Sequence, residues 1–271
     1  MPIDADRSPR TTLQVATTLA RQSGASIEFV RGLRPVRAGP PRTSLQTRCR
    51  DAVAAGAAHA SWAVLDATGG DVGWYATWSG SSLLCFSTRR HRPNVDVAGG
   101  ARLRSVLRSS AIPVLVVGPR ARPSADAYRR LVVALDGSAT ATAIATAAAE
   151  TGRRMGLHVV FTEVVPITHS GGDVHESAYL HRIAGTVPCP GSTFDILHDR
   201  RPADGIVGFV DRDERSIIAL GMPVAGHHGL QACGHVARTV VRHAVCPVLI
   251  VPVRAATAPG SRSWSQVRDA S

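Results

Sequence analysis

The sequence has 271 residues, a formal net charge of +11, 44% hydrophobic residues and only 4% aromatic ones. That length suggests about two domains of the usual 100–200 residues, and no run of eighteen apolar residues is present to span a membrane. The charge invites a nucleic-acid reading, but all 31 basic residues are Arg, spread over both halves and both tails, with few aromatic stacking platforms beside them. Nucleic acid is therefore not an expected partner.

Met1–Ala5 is a short lead, and Pro2 cannot donate a ladder hydrogen bond, so the opening strand is stunted or the coding start lies upstream. Ser8 and Pro9 then make an N-cap and first-turn pair for a helix over Thr12–Gln22, which Gly24 ends. Ser26–Val30 reads as a strand, Arg31–Pro41 as a loop, Ser44–His59 as an Ala-rich helix and Trp62–Leu65 as a strand. Asp71–Trp78 is a short helix whose Trp74 and Trp78, at i and i+4, are expected to be packing residues. Ser82–Gly118 follows as strand, loop, helix and strand. Pro119–Arg130 is a linker.

The second half opens on the apolar strand Leu131–Leu135, then Asp136-Gly137-Ser138. Ser138 is expected to cap a helix over Ala139–Met155, stopped by Gly156. Leu157–Val165 alternates as a strand, His169–Ala184 is polar and partly helical, Ser192–Leu197 is a strand, and Pro202–Val210 is a helix opened by Pro. Ile217–Leu220, the loop Gly221–Gly234, the helix His235–Ala244 and the strand Val248–Val251 complete it. Arg254–Ser271 reads as a disordered tail.

Two of these segments match in register. Gly100 precedes Pro113 by thirteen positions, as Gly234 precedes Pro247; Ser87 precedes Gly100 by thirteen, as Gly221 precedes Gly234. At this offset Arg104, Val106 and Arg108 fall on Arg238, Val240 and Arg242, so the chain is a tandem duplication. Strand–helix alternation in each half predicts doubly wound parallel α/β sheets. The five cysteines (Cys49, Cys85, Cys189, Cys233, Cys246) form no CxxC pair, and no secretory signal is visible. Buried, reduced thiols and a cytoplasmic location are expected.

The residues Val-Ala-Leu-Asp-Gly-Ser from Val133 and His-Ala-Val-Cys-Pro-Val-Leu-Ile-Val from His243 resemble a universal stress protein domain over 131–253. Residues 1–118 resemble the same family more distantly, through Asp6-Arg7-Ser8-Pro9 and Ile112-Pro113-Val114-Leu115-Val116-Val117. The resemblance implies two Rossmann-like α/β domains, each a five-stranded parallel sheet, with ATP held at the carboxyl ends of the strands in nucleotide-binding members. It also implies pairing of the two domains within the chain, and a homodimer as a further assembly. A protein partner is implied without being identified.

Carried over by residue, the family's ribose- and adenine-side acid matches Asp136, and its adenine-pocket position matches Val164. Its phosphate loop is Gly, two residues, Gly, nine residues, Gly, then Ser or Thr. Here Gly221 and Gly234 match, whereas Val224 stands at the second Gly and His235 at the hydroxyl. Val restricts positive φ and keeps backbone from phosphate, although the His ring can still donate to an anion. The expected function is a non-enzymatic stress-response protein with a degraded adenine-nucleotide site. The alternative is an ATP-binding member with slow hydrolysis. In the first half Asp6 and Gly100 remain, but Gly32, Ser87, Arg90 and Ala101 occupy the other positions, and no nucleotide is expected there. Arg89–Arg92 reads as a solvated basic loop. His227, His228 and His235 share one loop without metal-ligand spacing, so no metal is expected. Cys233 beside Gly234 is a candidate redox-sensitive thiol. No catalytic triad order or paired catalytic carboxylates are readable.

Overall fold

A computed structural model describes residues 10–32, 42–65, 72–88, 101–138, 140–167, 176–211, 213–224 and 234–254. In the first half these form α1 (Arg10–Ser23), β1 (Ile27–Gly32), α2 (Arg42–Ala54), β2 (Ala60–Leu65), α3 (Val72–Trp78), β3 (Leu84–Ser87), α4 (Ala101–Ser109) and β4 (Val114–Val117). The second half follows the same order: β5 (Arg130–Leu135), α5 (Ala141–Arg154), β6 (His158–Pro166), α6 (Glu176–Thr186), β7 (Thr193–Asp199), α7 (Pro202–Val210), β8 (Ser216–Val224), α8 (His235–His243) and β9 (Val248–Arg254). The α/β alternation read from the sequence is the observed architecture.

β7, β6, β5, β8 and β9 lie side by side and pair in parallel, which is the doubly wound order. β4 then joins β9 in antiparallel register, Leu115 opposite Leu249, and carries β3 with it into one seven-stranded sheet. β1 and β2 form a separate parallel pair. The expected five strands are present in the second half. The first half has four among the described residues, in two pairs, and the expected opening strand at residues 1–5 lies outside them.

Period-two alternation sorts the strand residues onto two faces. Leu131, Val133, Ile217, Ala219, Leu249 and Val251 face α1, α5 and α6, while Val132, Ile218, Leu220, Val248 and Ile250 face α4, α7 and α8. Each Val, Leu or Ile among them, fully buried, contributes about 1.5–3 kcal/mol. α5 fits because its inner face is small: Ala141, Ile144, Ala145, Ala148, Ala149 and Gly152 are all buried at helical spacing. It ends as expected at Gly156, φ +66°, where the Leu157 N–H reaches the Gly152 carbonyl at 2.9 Å.

Several local expectations change. α5 starts at Ala141, not Ala139; Thr140 holds the cap position, and Ser138 gives its carbonyl to the Ala141 N–H at 3.0 Å in place of a side-chain cap. α2 stops at Ala54 because Gly56, at φ +100°, turns the chain five residues earlier than its alanine content suggested. Trp74 and Trp78 are not core: they are 58% and 69% exposed and stack on each other at 6.1 Å. The first-half cap at Ser8 and Pro9 lies outside the described residues.

Two consequences are measurable. A two-stranded sheet such as β1–β2 is marginal without neighbours, so amide exchange over residues 6–118 should outpace that over 131–253. Equal or greater protection in the first half would contradict this.

Cys85 and Cys246 are free and buried, and burial pushes both thiols up to about 12. A raised folded pKa favours the protonated form, so this contribution to stability is complete below about pH 9 and is lost as pH rises toward 12. Denaturant unfolding at pH 8 and 10.5 should therefore show a loss of stability that Cys85→Ala with Cys246→Ala reduces; an unchanged loss would assign it to other groups.

Candidate functional site

Three adjacent strands bring the predicted nucleotide residues to one end of the second-half sheet. β5 delivers Asp136 just past Leu135, β6 delivers Glu163 and Val164, and β8 delivers Gly221 beyond Leu220. Parallel strands connected through helices place α8, with Gly234 as its N-cap and His235 as its first residue, at the same end.

Asp136 is exposed, and its Oδ1 accepts the Ser138 N–H at 3.0 Å. That short-range turn, with Gly137 at φ +71°, holds the carboxylate at the strand end and leaves Oδ2 available to a donor. Val164 pairs with Leu197 and is half-buried; an added Cβ on Gly205 of α7 would stand 3.1 Å from its Cγ1. It therefore packs toward α7 as a wall residue.

Two side chains that sequence reasoning missed complete this end. Glu163 is opposite Leu135 in the ladder, next to the start of the Asp136 turn. Tyr179 of α6 has a buried hydroxyl that makes no well-formed hydrogen bond among the described residues; burial, then Glu163 and Asp136, push it up to about 12 against the opposing effect of the Gly137 backbone. The readable signal for Glu163 was an acid interrupting the apolar run Val159–Val165. Tyr179 had none, because its position depends on how α6 docks.

The phosphate-loop positions behave differently from expectation. Gly221 does not begin a loop: β8 continues through Val224, with Gly221 opposite Val251 and Val224 opposite Arg254. The ladder to β9 therefore takes up one edge of this backbone. Gly221 is required for another reason, since a Cβ there would run into the Ile144 side chain of α5. Gly234 adopts φ −53°, and a Cβ there would meet nothing within 4 Å, so glycine is not demanded by its conformation. His235 is exposed. His227, His228 and Cys233 lie outside the described residues, as do Arg90 and Gly100; Gly32, Ser87 and Ala101 are at the ends of β1, β3 and α4. No group of three metal-ligating side chains occurs among the described residues. No helix among them is long and apolar enough to cross a membrane.

Comparison with known proteins fits this arrangement. Residues 127–252 match the model of the Universal stress protein family. A universal stress protein from Archaeoglobus fulgidus superposes with a TM-score of 0.63 at 16% identity, over 93% of this chain and 94% of its own. A putative universal stress protein from Pseudomonas aeruginosa gives 0.62 at 14% identity, over 93% and 91%. The cytoplasmic domain of a prokaryotic cation chloride cotransporter also superposes, with a TM-score of 0.55 at 12% identity over 92% of each chain. At these identities the likeness is one of fold. Comparison with curated proteins finds no match. These comparisons show a match to the Universal stress protein family model over residues 127–252 and a shared fold over nearly the whole chain.

Proposed function

We propose that the chain is a non-enzymatic stress-response protein whose second domain keeps the nucleoside side of an adenine-nucleotide site without a working phosphate loop. The observation that carries this reading is the extension of β8 to Val224, in register with Arg254. A phosphate loop works by turning successive backbone N–H groups toward one anion. A backbone held straight in a parallel ladder points its donors alternately to two sides.

The side chains at this end support the same reading. Asp136 and Glu163 offer acceptors that suit ribose hydroxyls and repel polyphosphate, and the Tyr179 hydroxyl lies among them. Cytoplasmic action and a protein partner belong to this proposal. Calorimetric titration of the unmodified protein with Mg-ATP tests it. Saturable binding should be absent below roughly millimolar ligand, where the free energy of binding is only about −4 kcal/mol. A low-micromolar dissociation constant with slow phosphate release would replace this reading with that of an ATP-binding hydrolase.

A further inference from the structure

In the linear sequence the arginines look scattered and stacking platforms scarce; folding brings several of the first beside a pair of the second. α3, α4 and α8 bury their inner sides in one apolar cluster, through Ala76, through Val106 and Leu107, and through Val240 and Val241, so their exposed side chains share one side of the molecule. None of the three helices contains an Asp or a Glu. α4 carries Arg102, Arg104 and Arg108, and α8 carries Arg238 and Arg242; the duplication matches Arg104 with Arg238 and Arg108 with Arg242. Arg108, Arg238 and Arg242 are exposed and form no ion pair among the described residues, while the one acid of neighbouring α7, Asp204, faces Arg201 at 4.0 Å. The face is therefore basic without internal compensation.

At its α3 end stand Trp74 and Trp78, both exposed, with ring planes only 13° from parallel. Each indole gives at most one face to the other, so the outer faces of the pair stay open. Their seat is fixed from below. An added Cβ on Gly73 would stand 2.9 Å from the Val106 carbonyl and from the Ser110 nitrogen, so α3 lies against the last turn of α4, the turn that carries Arg108. Tyr75, next to Trp74, donates its hydroxyl to the Glu28 carboxylate at 3.0 Å and pins the other side of α3. Two large aromatic rings held in water on an anchored helix mark an interaction surface.

We propose that this face binds single-stranded nucleic acid, with bases laid on the Trp74–Trp78 pair and phosphates along the arginines of α4 and α8. Every base has a π-face and every linkage a negative charge, so the two features together suit any sequence. A duplex keeps its base faces stacked inside and has none to offer the indoles. An anionic membrane would meet the same charges, but two near-parallel rings present flat faces and not an apolar wedge. The surface is the outer side of the helices, apart from the strand ends that carry the nucleotide residues, and it does not rest on the reading given there.

A labelled oligothymidylate of about twelve nucleotides, within the usual site size of a single-strand binder, is titrated with the full-length protein by fluorescence anisotropy. The expected dissociation constant is on the order of 10 µM at about 50 mM salt, with quenching of tryptophan fluorescence. Trp74→Ala with Trp78→Ala should weaken binding at least about tenfold, as loss of base stacking does, and leave the slope of log K against log salt in place. Arg238→Ala with Arg242→Ala should instead flatten that slope by about 1.4, since each phosphate neutralised on a single strand contributes about 0.7. All four side chains are exposed. A duplex of the same length should bind through charge alone, without quenching and with equal affinity for the tryptophan variant. No saturable binding up to roughly 0.1 mM protein, single-strand affinity indifferent to the tryptophan variant, or a salt slope unchanged in the arginine variant would each overturn the proposal. So would phosphatidylserine vesicles that bind the unmodified protein, but not the tryptophan variant, in the absence of any oligonucleotide binding; the face would then belong to a membrane surface.

Discussion

Mg-ATP titrated into the Val224→Gly/His235→Ser protein should give saturable binding two to four orders of magnitude tighter than in the unmodified chain. The size follows from two losses. A hydrogen bond from a backbone or hydroxyl donor to a charged oxygen contributes about 1.5–3 kcal/mol, and each 1.4 kcal/mol is about a factor of ten in affinity. Glycine at 224 permits the positive φ that valine resists, at the last residue pair of the β8–β9 ladder, where peeling the strand disturbs the least. Serine at 235 puts a hydroxyl on the first residue of α8, at the positive end of its dipole. Adding Asp136→Ala should then abolish the gained binding, because the ribose side loses its acceptor. A double variant that binds no better than the parent would show that the loop backbone, not these two side chains, sets the limit. A parent that already binds at low micromolar concentration would remove the premise.

Gly221→Val should destabilise the protein by about 1–3 kcal/mol, the usual cost of forcing extra carbons into a packed core. The new Cβ would enter the space of the Ile144 side chain, which belongs to the inner face of α5. For a chain of this size each kcal/mol lowers Tm by about 2–4 °C. Ile144→Ala will itself cost about 2–5 kcal/mol, yet the double variant should be more stable than the sum of the two losses predicts, by about 0.5–3 kcal/mol. Additive effects would mean that the glycine serves the backbone conformation and not the helix contact.

The apolar runs Leu131–Leu135, Ile217–Leu220 and Val248–Val251 announced strands, and the structure packs helices on both of their faces. Pro202 and Gly156 marked helix limits because each acts through its own backbone. The duplicated spacing also held, since β3–β4 and β8–β9 pair alike. What stayed hidden depends on partners distant in sequence. Gly221 looked like a ligand-binding glycine because the chain cannot show that Ile144 lies above it. Trp74 and Trp78 looked like core because their spacing is helical, although a seven-residue helix turned their face outward. The antiparallel meeting of β4 and β9 has no signature in either strand. Glu163 was visible as an acid in an apolar run, and Tyr179 was not.

That meeting of β4 and β9 alters what the segment between the halves has to do. With Leu115 set against Leu249 in the β4–β9 ladder, the halves are fastened by main-chain bonds independent of the peptide that links them. A cut in the linker would leave the two pieces attached. Either half made alone would instead present the bare edge of an apolar strand, Val-Leu-Val-Val or Val-Leu-Ile-Val, and such edges recruit whatever strand comes next. Joining the halves in one chain keeps each edge supplied with its own cap, at a concentration that dilution cannot lower.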